Sequence, residues 1–222
     1  MQPIVIAPSI LSANLACLGY DVSSVLAAGA DWVHFDVMDN HYVPNLTFGP
    51  EVCKALRNYG ITAPIDVHLM IKPVNSLIVP FAQAGATYIS FHPDATENID
   101  ATIDLIKSNN CKVGVVLNPD VSLDILATLK NKIDLLLLMS VKPGFGGQKF
   151  MPHVLAKATE ARKILDTWST PTRLQIDGGV NLENIAEIAR CGIDTFVAGV
   201  IFRYKETEYA TVISQLRGLT HG

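Results

Sequence analysis

Short apolar segments alternate with helix-periodic segments eight times along this chain, and that alternation limits the fold more than any other feature. Strand character is found in "IVIAPSIL" (4–11), "WVHFDVMD" (32–39), "IDVHLMI" (65–71) and "TYISFHP" (87–93). It recurs in "KVGVVLN" (112–118), "LLLLMSV" (135–141), "RLQIDGG" (173–179) and "FVAGVIF" (196–202). Between these lie segments with apolar residues at helical spacing, such as "VLAKATEARKIL" (154–165) and "NIAEIARCG" (184–192). Gly29, Gly85 and Gly192 stand where helices would end. Parallel neighbours need crossovers, so strand-then-helix repeated eight times predicts a parallel sheet. Eight units in 222 residues, with no linker rich in Pro, Gly or Ser, predict one (β/α)8 (TIM) barrel over residues 1–222. The competing architecture is an open doubly wound sheet, but no GxGxxG follows the first strand.

The bulk properties narrow the function classes. With 49% hydrophobic residues the chain can bury a large core. A formal charge of −4 argues against a nucleic-acid partner, and an anionic ligand would need local donors against the global field. The N-terminal "MQPIVIAPSIL" lacks a basic n-region, and "IDLLLLMSV" is too short to span a bilayer, so no membrane role is expected. Cys17, Cys53, Cys111 and Cys191 are unevenly spaced without a CxxC, which reads as small buried thiols in a reducing cytoplasm.

Barrel enzymes place their chemistry at the C-terminal ends of the strands, and the unusual residues of this chain gather there. Strand alternation sends His34, Asp36 and Met38 to one face, with Val33, Phe35 and Val37 on the other. His68 lies on the third strand and Asp177 on the seventh. A charge inside a barrel is expensive unless paired, hydrogen-bonded or bound to metal. Two His and two Asp make an N2O2 set for one divalent ion, Zn²⁺ first, with Fe²⁺, Co²⁺ and Mn²⁺ also acceptable. In a ring of eight, strand 7 lies three steps from strand 2, so Asp36 and Asp177 would approach the centre from roughly opposite sides. That suits lifting a proton from one face of a carbon and returning it to the other. Met38, Met70 and Met139 sit at strand ends, either as core fillers or as a soft wall that excludes water. His92 precedes Pro93 and reads as support, whereas His41, His153 and His221 carry no spacing signal.

Two glycine-rich stretches, "VKPGFGGQKF" (141–150) and "DGGVN" (177–181), follow strands 6 and 7, and "AGV" (198–200) ends strand 8. Glycines let backbone N–H groups converge on an anion, and the helix expected to open at "DGGVN" would add a favourable dipole. Two such loops at one mouth beside a charged cluster predict a phosphorylated substrate.

"APSIL", "HFDVMDNHYVPNLTFGP", "IDVHLM", "LMSVKPGFGGQ" and "IDGG", in this order from strand 1 to strand 8, resemble the ribulose-phosphate 3-epimerase family. The resemblance implies a ribulose-phosphate-binding barrel that interconverts D-ribulose 5-phosphate and D-xylulose 5-phosphate in the pentose phosphate pathway. It implies His34, Asp36, His68 and Asp177 as metal ligands, with Asp36 and Asp177 as the acid/base pair. Ser9 and His68 would touch the sugar, and Met38, Met70 and Met139 would line the intermediate. Gly144, Phe145, Gly146, Gly147, Gly178, Gly179 and Gly199 would hold sugar and phosphate. A homo-oligomer is implied as well. Where the family commonly reads Ala-Gly-Ser-Ala-Ile-Phe, this chain has "AGVIF" (198–202), so Val200 would offer the phosphate only its backbone N–H. Lys142 stands where Asn is frequent.

Three other functions compete. A 3-epimerase of a six-carbon ketose phosphate, such as allulose 6-phosphate, would use the same residues. A barrel lyase or decarboxylase would place Asp and Lys together, as in DxKxxD, where this chain has "HFDVMD". A non-catalytic phosphate-binding barrel would explain the glycines but leave the opposed carboxylates idle.

Overall fold

The computed structural model describes residues 2–220. Eight parallel strands run in chain order around a ring: β1 (Val5–Ala7), β2 (Val33–Met38), β3 (Ile65–Met70), β4 (Tyr88–Phe91), β5 (Lys112–Leu117), β6 (Leu135–Met139), β7 (Arg173–Asp177) and β8 (Thr195–Val197). Continuous ladders join β1 to β8 and then each neighbour down to β2, which makes a nearly closed TIM barrel rather than an open doubly wound sheet. The remaining gap, between β1 and β2, is bridged by a parallel pair at Ser9 and His34. There the His34 amide donates to the Pro8 carbonyl at 3.0 Å, and the Asp31 amide to Ile6 at 3.0 Å.

Eight helices surround the strands: α1 (Leu18–Ala27), α2 (Pro50–Tyr59), α3 (Asn75–Gln83), α4 (Ile99–Ser108), α5 (Leu126–Leu129), α6 (Val154–Leu165), α7 (Ile185–Arg190) and α8 (Tyr209–Leu219). Among the described residues, no helix is long and apolar enough to cross a membrane.

The alternation within β2 positions the site. Phe35 points outward, edge-on to Phe81 of α3 at 5.8 Å and to Phe48 at 5.3 Å between ring centroids. It is fully buried, and that burial contributes about 1.5–3 kcal/mol. Val33 and Val37 share this outer core. With its odd residues committed to the helices, β2 must turn His34, Asp36 and Met38 into the barrel. The interior below them is apolar: Leu135 and Leu137 fill it beside Trp32, which stacks on Tyr88 at 4.6 Å.

Strands 1 and 8 are shorter than the sequence predicts. After Ala7 the chain enters a 3-10 turn, Ile10–Ser12, because the Ser9 hydroxyl accepts from the Leu11 amide and draws the backbone out of the sheet. Residues 199–203 likewise form a 3-10 turn rather than strand. The helix expected to open at "DGGVN" begins only at Ile185, because Asn181 first organises a turn, its side-chain Oδ1 accepting from the Glu183 and Asn184 amides. The backbone at 178–180 is therefore loop. Cys53 and Cys111 are buried as expected, whereas Cys17 is exposed and Cys191 half-buried; all four are free.

Candidate active site

His34 and Asp36 of β2 pair in register with Asp66 and His68 of β3, a reciprocal His/Asp exchange across two neighbouring strands. His34, Asp66 and His68 are fully buried and Asp36 nearly so. The His34 ring donates from Nδ1 to Asp66 Oδ2 at 2.8 Å, since a carboxylate can only accept. Its Nε2 then faces the barrel axis, 3.2 Å from Asp36 Oδ1 and 3.7 Å from Asp177 Oδ2. His68 Nδ1 lies 3.1 Å from the same Asp36 oxygen, and its Nε2 is 2.9 Å from His92 Nε2. Asp36 Oδ2 accepts from the Ser9 hydroxyl at 2.5 Å. One ligating atom from each of His34, Asp36, His68 and Asp177 lies within 4.8 Å of all the others. This His/Asp cluster fits a divalent metal ion, and the imidazole roles agree: Asp66 and His92 occupy the outer ring nitrogens, leaving one nitrogen of each His turned toward the carboxylates.

The electrostatics separate the two acids. Burial alone would push Asp36 up, but the His34 charge and hydrogen bonds from both imidazoles outweigh it and hold Asp36 well below the ordinary carboxylate range. Asp177 has only the His34 charge to lower it, which is not enough. Burial, reinforced by the Asp36 charge, pushes it up to about 7. Burial opposes charge on His34 as well, yet Asp36 and Asp66 raise it well above the ordinary histidine value. His92 goes well below that value, from burial and then from His68. Two neighbouring carboxylates are thus shifted in opposite directions by their surroundings.

Above the cluster opens a cavity of about 460 Å³. Asp36, Asp177 and Ser9 line it, as do Met38, Met70 and Met139, each nearly inaccessible otherwise. Gly144, Phe145, Gly146, Gly147, Gly178, Gly179, Gly199 and Val200 form its other walls. Of the residues expected to touch a substrate, His68 is missing from this wall and fully buried. The glycine loops approach too closely for side chains. A Cβ on Gly178 would come within 2.6 Å of Val141 Cγ2, and one on Gly179 within 2.4 Å of the Phe150 nitrogen. Gln148 closes the first loop by donating to the Lys142 and Phe145 carbonyls, and Asn45 ties it to the β2 side through Gly144. Ser140 pins the end of β7 by donating to the Asp177 and Gly178 carbonyls.

The sequence reading missed Asp66 and Gln175. Gln175 Nε2 donates to Asp66 Oδ2 at 2.6 Å from across the barrel. A signal for Asp66 existed: it lies two residues before His68, on the same strand face. His92 is the support that its position suggested. His41 and His153 lie exposed and apart from the cluster, and His221 is outside the described residues.

A family model described as the ribulose-phosphate 3 epimerase family matches residues 5–202. The chain belongs to that family. Among its relatives, the ribulose-phosphate 3-epimerase of Serratia marcescens is 61% identical over 90% of this chain and 95% of that protein. That of Escherichia coli K12 is 56% identical over 98% and 96%. The chain is accordingly an epimerase. Solved structures share the fold alone: KGPDC from Streptococcus mutans superposes with a TM-score of 0.72 at 15% identity, covering 99% of this chain and 98% of that one. The tryptophan synthase alpha chain of Legionella pneumophila gives 0.68 at 10% identity, over 99% and 92%.

Proposed function

We propose that this epimerase interconverts D-ribulose 5-phosphate and D-xylulose 5-phosphate by moving the proton at C3 through a 2,3-enediolate, with Asp36 and Asp177 as the two proton carriers. The observation that carries this reading is the convergence of two oppositely polarised carboxylates on one floor, beneath a cavity walled by glycine loops. The unprotonated Asp36 takes the C3 proton from one face, and the protonated Asp177 gives a proton to the other; in the reverse direction the roles exchange. Ser9 holds the Asp36 oxygen in place, and the three methionines keep water from the enediolate. The loops at 144–147, 178–179 and 199–200 bind the phosphate through backbone N–H groups and so fix C3 between the carboxylates.

A carboxylate is a weak base for such a carbon acid. His34, Asp36, His68 and Asp177 would hold a divalent ion, with Zn²⁺ the first choice for this donor set, and that ion supplies Lewis-acid stabilisation of the negative charge on the substrate oxygens. The same reading makes residues 1–222 one catalytic unit, acting in the pentose phosphate pathway as a cytoplasmic homo-oligomer. Solvent deuterium should appear at C3 of ribulose 5-phosphate with wild-type protein and not with Asp177→Asn. Wild-type exchange in Asp177→Asn would refute the two-carboxylate scheme, and faster turnover of allulose 6-phosphate would move the substrate to six carbons.

A further inference from the structure

The cavity carries opposite charge at its two ends. Asp36 and Asp177 lie on the floor, while Lys142, Lys149 and Arg203 line the walls beside the glycine loops. Arg203 differs from the other cations in its placement. It ends the 3-10 turn that starts with Gly199 and Val200, so one short segment presents two backbone N–H groups and a guanidinium to the same space. Its Nη2 stands 2.7 Å from where a Cβ on Gly147 would be, so the guanidinium lies directly on the bare face of that glycine. Gly147 has φ +76°, a conformation in which its missing side chain leaves room for this contact.

Arg203 is also uncommitted. Arg57, Arg162, Arg173 and Arg217 each hold a carbonyl or carboxylate of the fold. The Arg203 side chain has no hydrogen bond or ion pair with any described residue, although its turn is well packed through Ile201. The backbone N–H groups of Gly146, Gly147, Gly179, Gly199 and Val200 likewise have no acceptor among the described residues. The Ser12 hydroxyl completes the ring, 2.8 Å from a Cβ position on Gly199 and 4.0 Å from one on Gly146. Residues with several unpaired neutral donors and one planar cation therefore line the same cavity, in a protein whose net charge would otherwise repel an anion.

We propose that Arg203 is a specificity-determining residue: its guanidinium, seated on Gly147 without a protein counter-ion, pairs with the phosphate dianion and makes the enzyme select phosphorylated over free ketoses. This rests on the phosphorylated-ketose reading of the site. A guanidinium suits the task because its fork can engage two phosphate oxygens while backbone N–H groups take the third. It sits on Gly147 in the glycine-loop wall and not in the His/Asp cluster, so its contribution is to binding and not to the chemical step.

The test uses Arg203→Gln and Arg203→Lys in the full chain. Arg203 is exposed, and both variants should melt with the wild type. With ribulose 5-phosphate, Arg203→Gln should raise KM about 10- to 100-fold while kcat changes less than about threefold. Arg203→Lys should recover part of the loss, because it keeps the charge and loses the fork. Inorganic phosphate should bind Arg203→Gln more weakly by a similar factor in calorimetry, and the salt dependence of kcat/KM should flatten. KM and phosphate affinity within about twofold of wild type in Arg203→Gln would overturn the assignment. Failure of the functional reading looks different: wild type would then not epimerise ribulose 5-phosphate at all, while the phosphate titration would still judge Arg203.

Discussion

Replacing Asp66 by Asn removes a charge from behind the metal-type cluster while leaving its shape. Asp66 Oδ2 accepts from His34 Nδ1 at 2.8 Å and from Gln175 Nε2 at 2.6 Å, and Oδ1 has no partner. An amide oxygen in the Oδ2 position keeps both hydrogen bonds. What changes is their strength: a bond to a charged acceptor contributes about 1.5–3 kcal/mol, against about 0.5–1.5 for a neutral one. The difference on the His34 bond is about 1–1.5 kcal/mol, or about tenfold in an equilibrium constant. It falls on the basicity of His34 Nε2, which points at Asp36 and Asp177. Asp66→Asn should therefore fold and lose about tenfold in Zn²⁺ affinity, as outer partners of metal-binding histidines commonly do. Asp66→Ala should lose more and also destabilise the protein, because it strands two buried donors at about 1–3 kcal/mol each. The assay is competition with a coloured chelator for Zn²⁺ on metal-stripped protein, beside a urea melt. A folded Asp66→Asn that binds Zn²⁺ as tightly as wild type would refute the reasoning.

Exhaustive chelation should abolish epimerisation and a divalent ion should restore it; full activity in protein free of metal by mass spectrometry would reject the metal's role. Asp177, pushed up to about 7 from 3.8, binds its proton more tightly in the folded chain. Its stabilising contribution is thus full below about pH 4 and lost as pH rises to about 7, so metal-stripped wild type should lose stability relative to Asp177→Asn between about pH 4 and about pH 7. Parallel urea-stability curves for the two proteins would contradict this. Gly178→Ala should cost about 2–4 kcal/mol in urea unfolding, because φ is +124° and the new Cβ would lie 2.9 Å from the Val141 nitrogen; a wild-type midpoint would show that the loop yields.

Much of this was legible in the sequence because single residues carried period and chemistry together. β2 is the clearest case: Val33, Phe35 and Val37 declared the outer face, which left His34, Asp36 and Met38 no choice but the inner one. The α6 segment, Val154–Leu165, also matched its expected range. The ends of strands 1 and 8 were not legible, since hydrophobic runs continue through Ile10 and Ile201 after the backbone has left the sheet. Apolar residues pack equally well from a 3-10 turn, so composition there says buried and not extended. Asp66 escaped notice because its role exists only across the register with His34, and Gln175 because its partner lies on the far side of the ring. A pairing that spans strands leaves no trace in local spacing.

A ring of strands must be fastened somewhere, and this one is fastened beside its chemistry. The clasp between the first and second strands is the Ser9–His34 bridge, and the same two residues reach inward to Asp36 through hydroxyl and imidazole. The last stitch of the architecture and the nearest contacts of Asp36 are thus made by the same two residues. A substitution at either residue would therefore disturb the closure of the ring and the setting of Asp36 together.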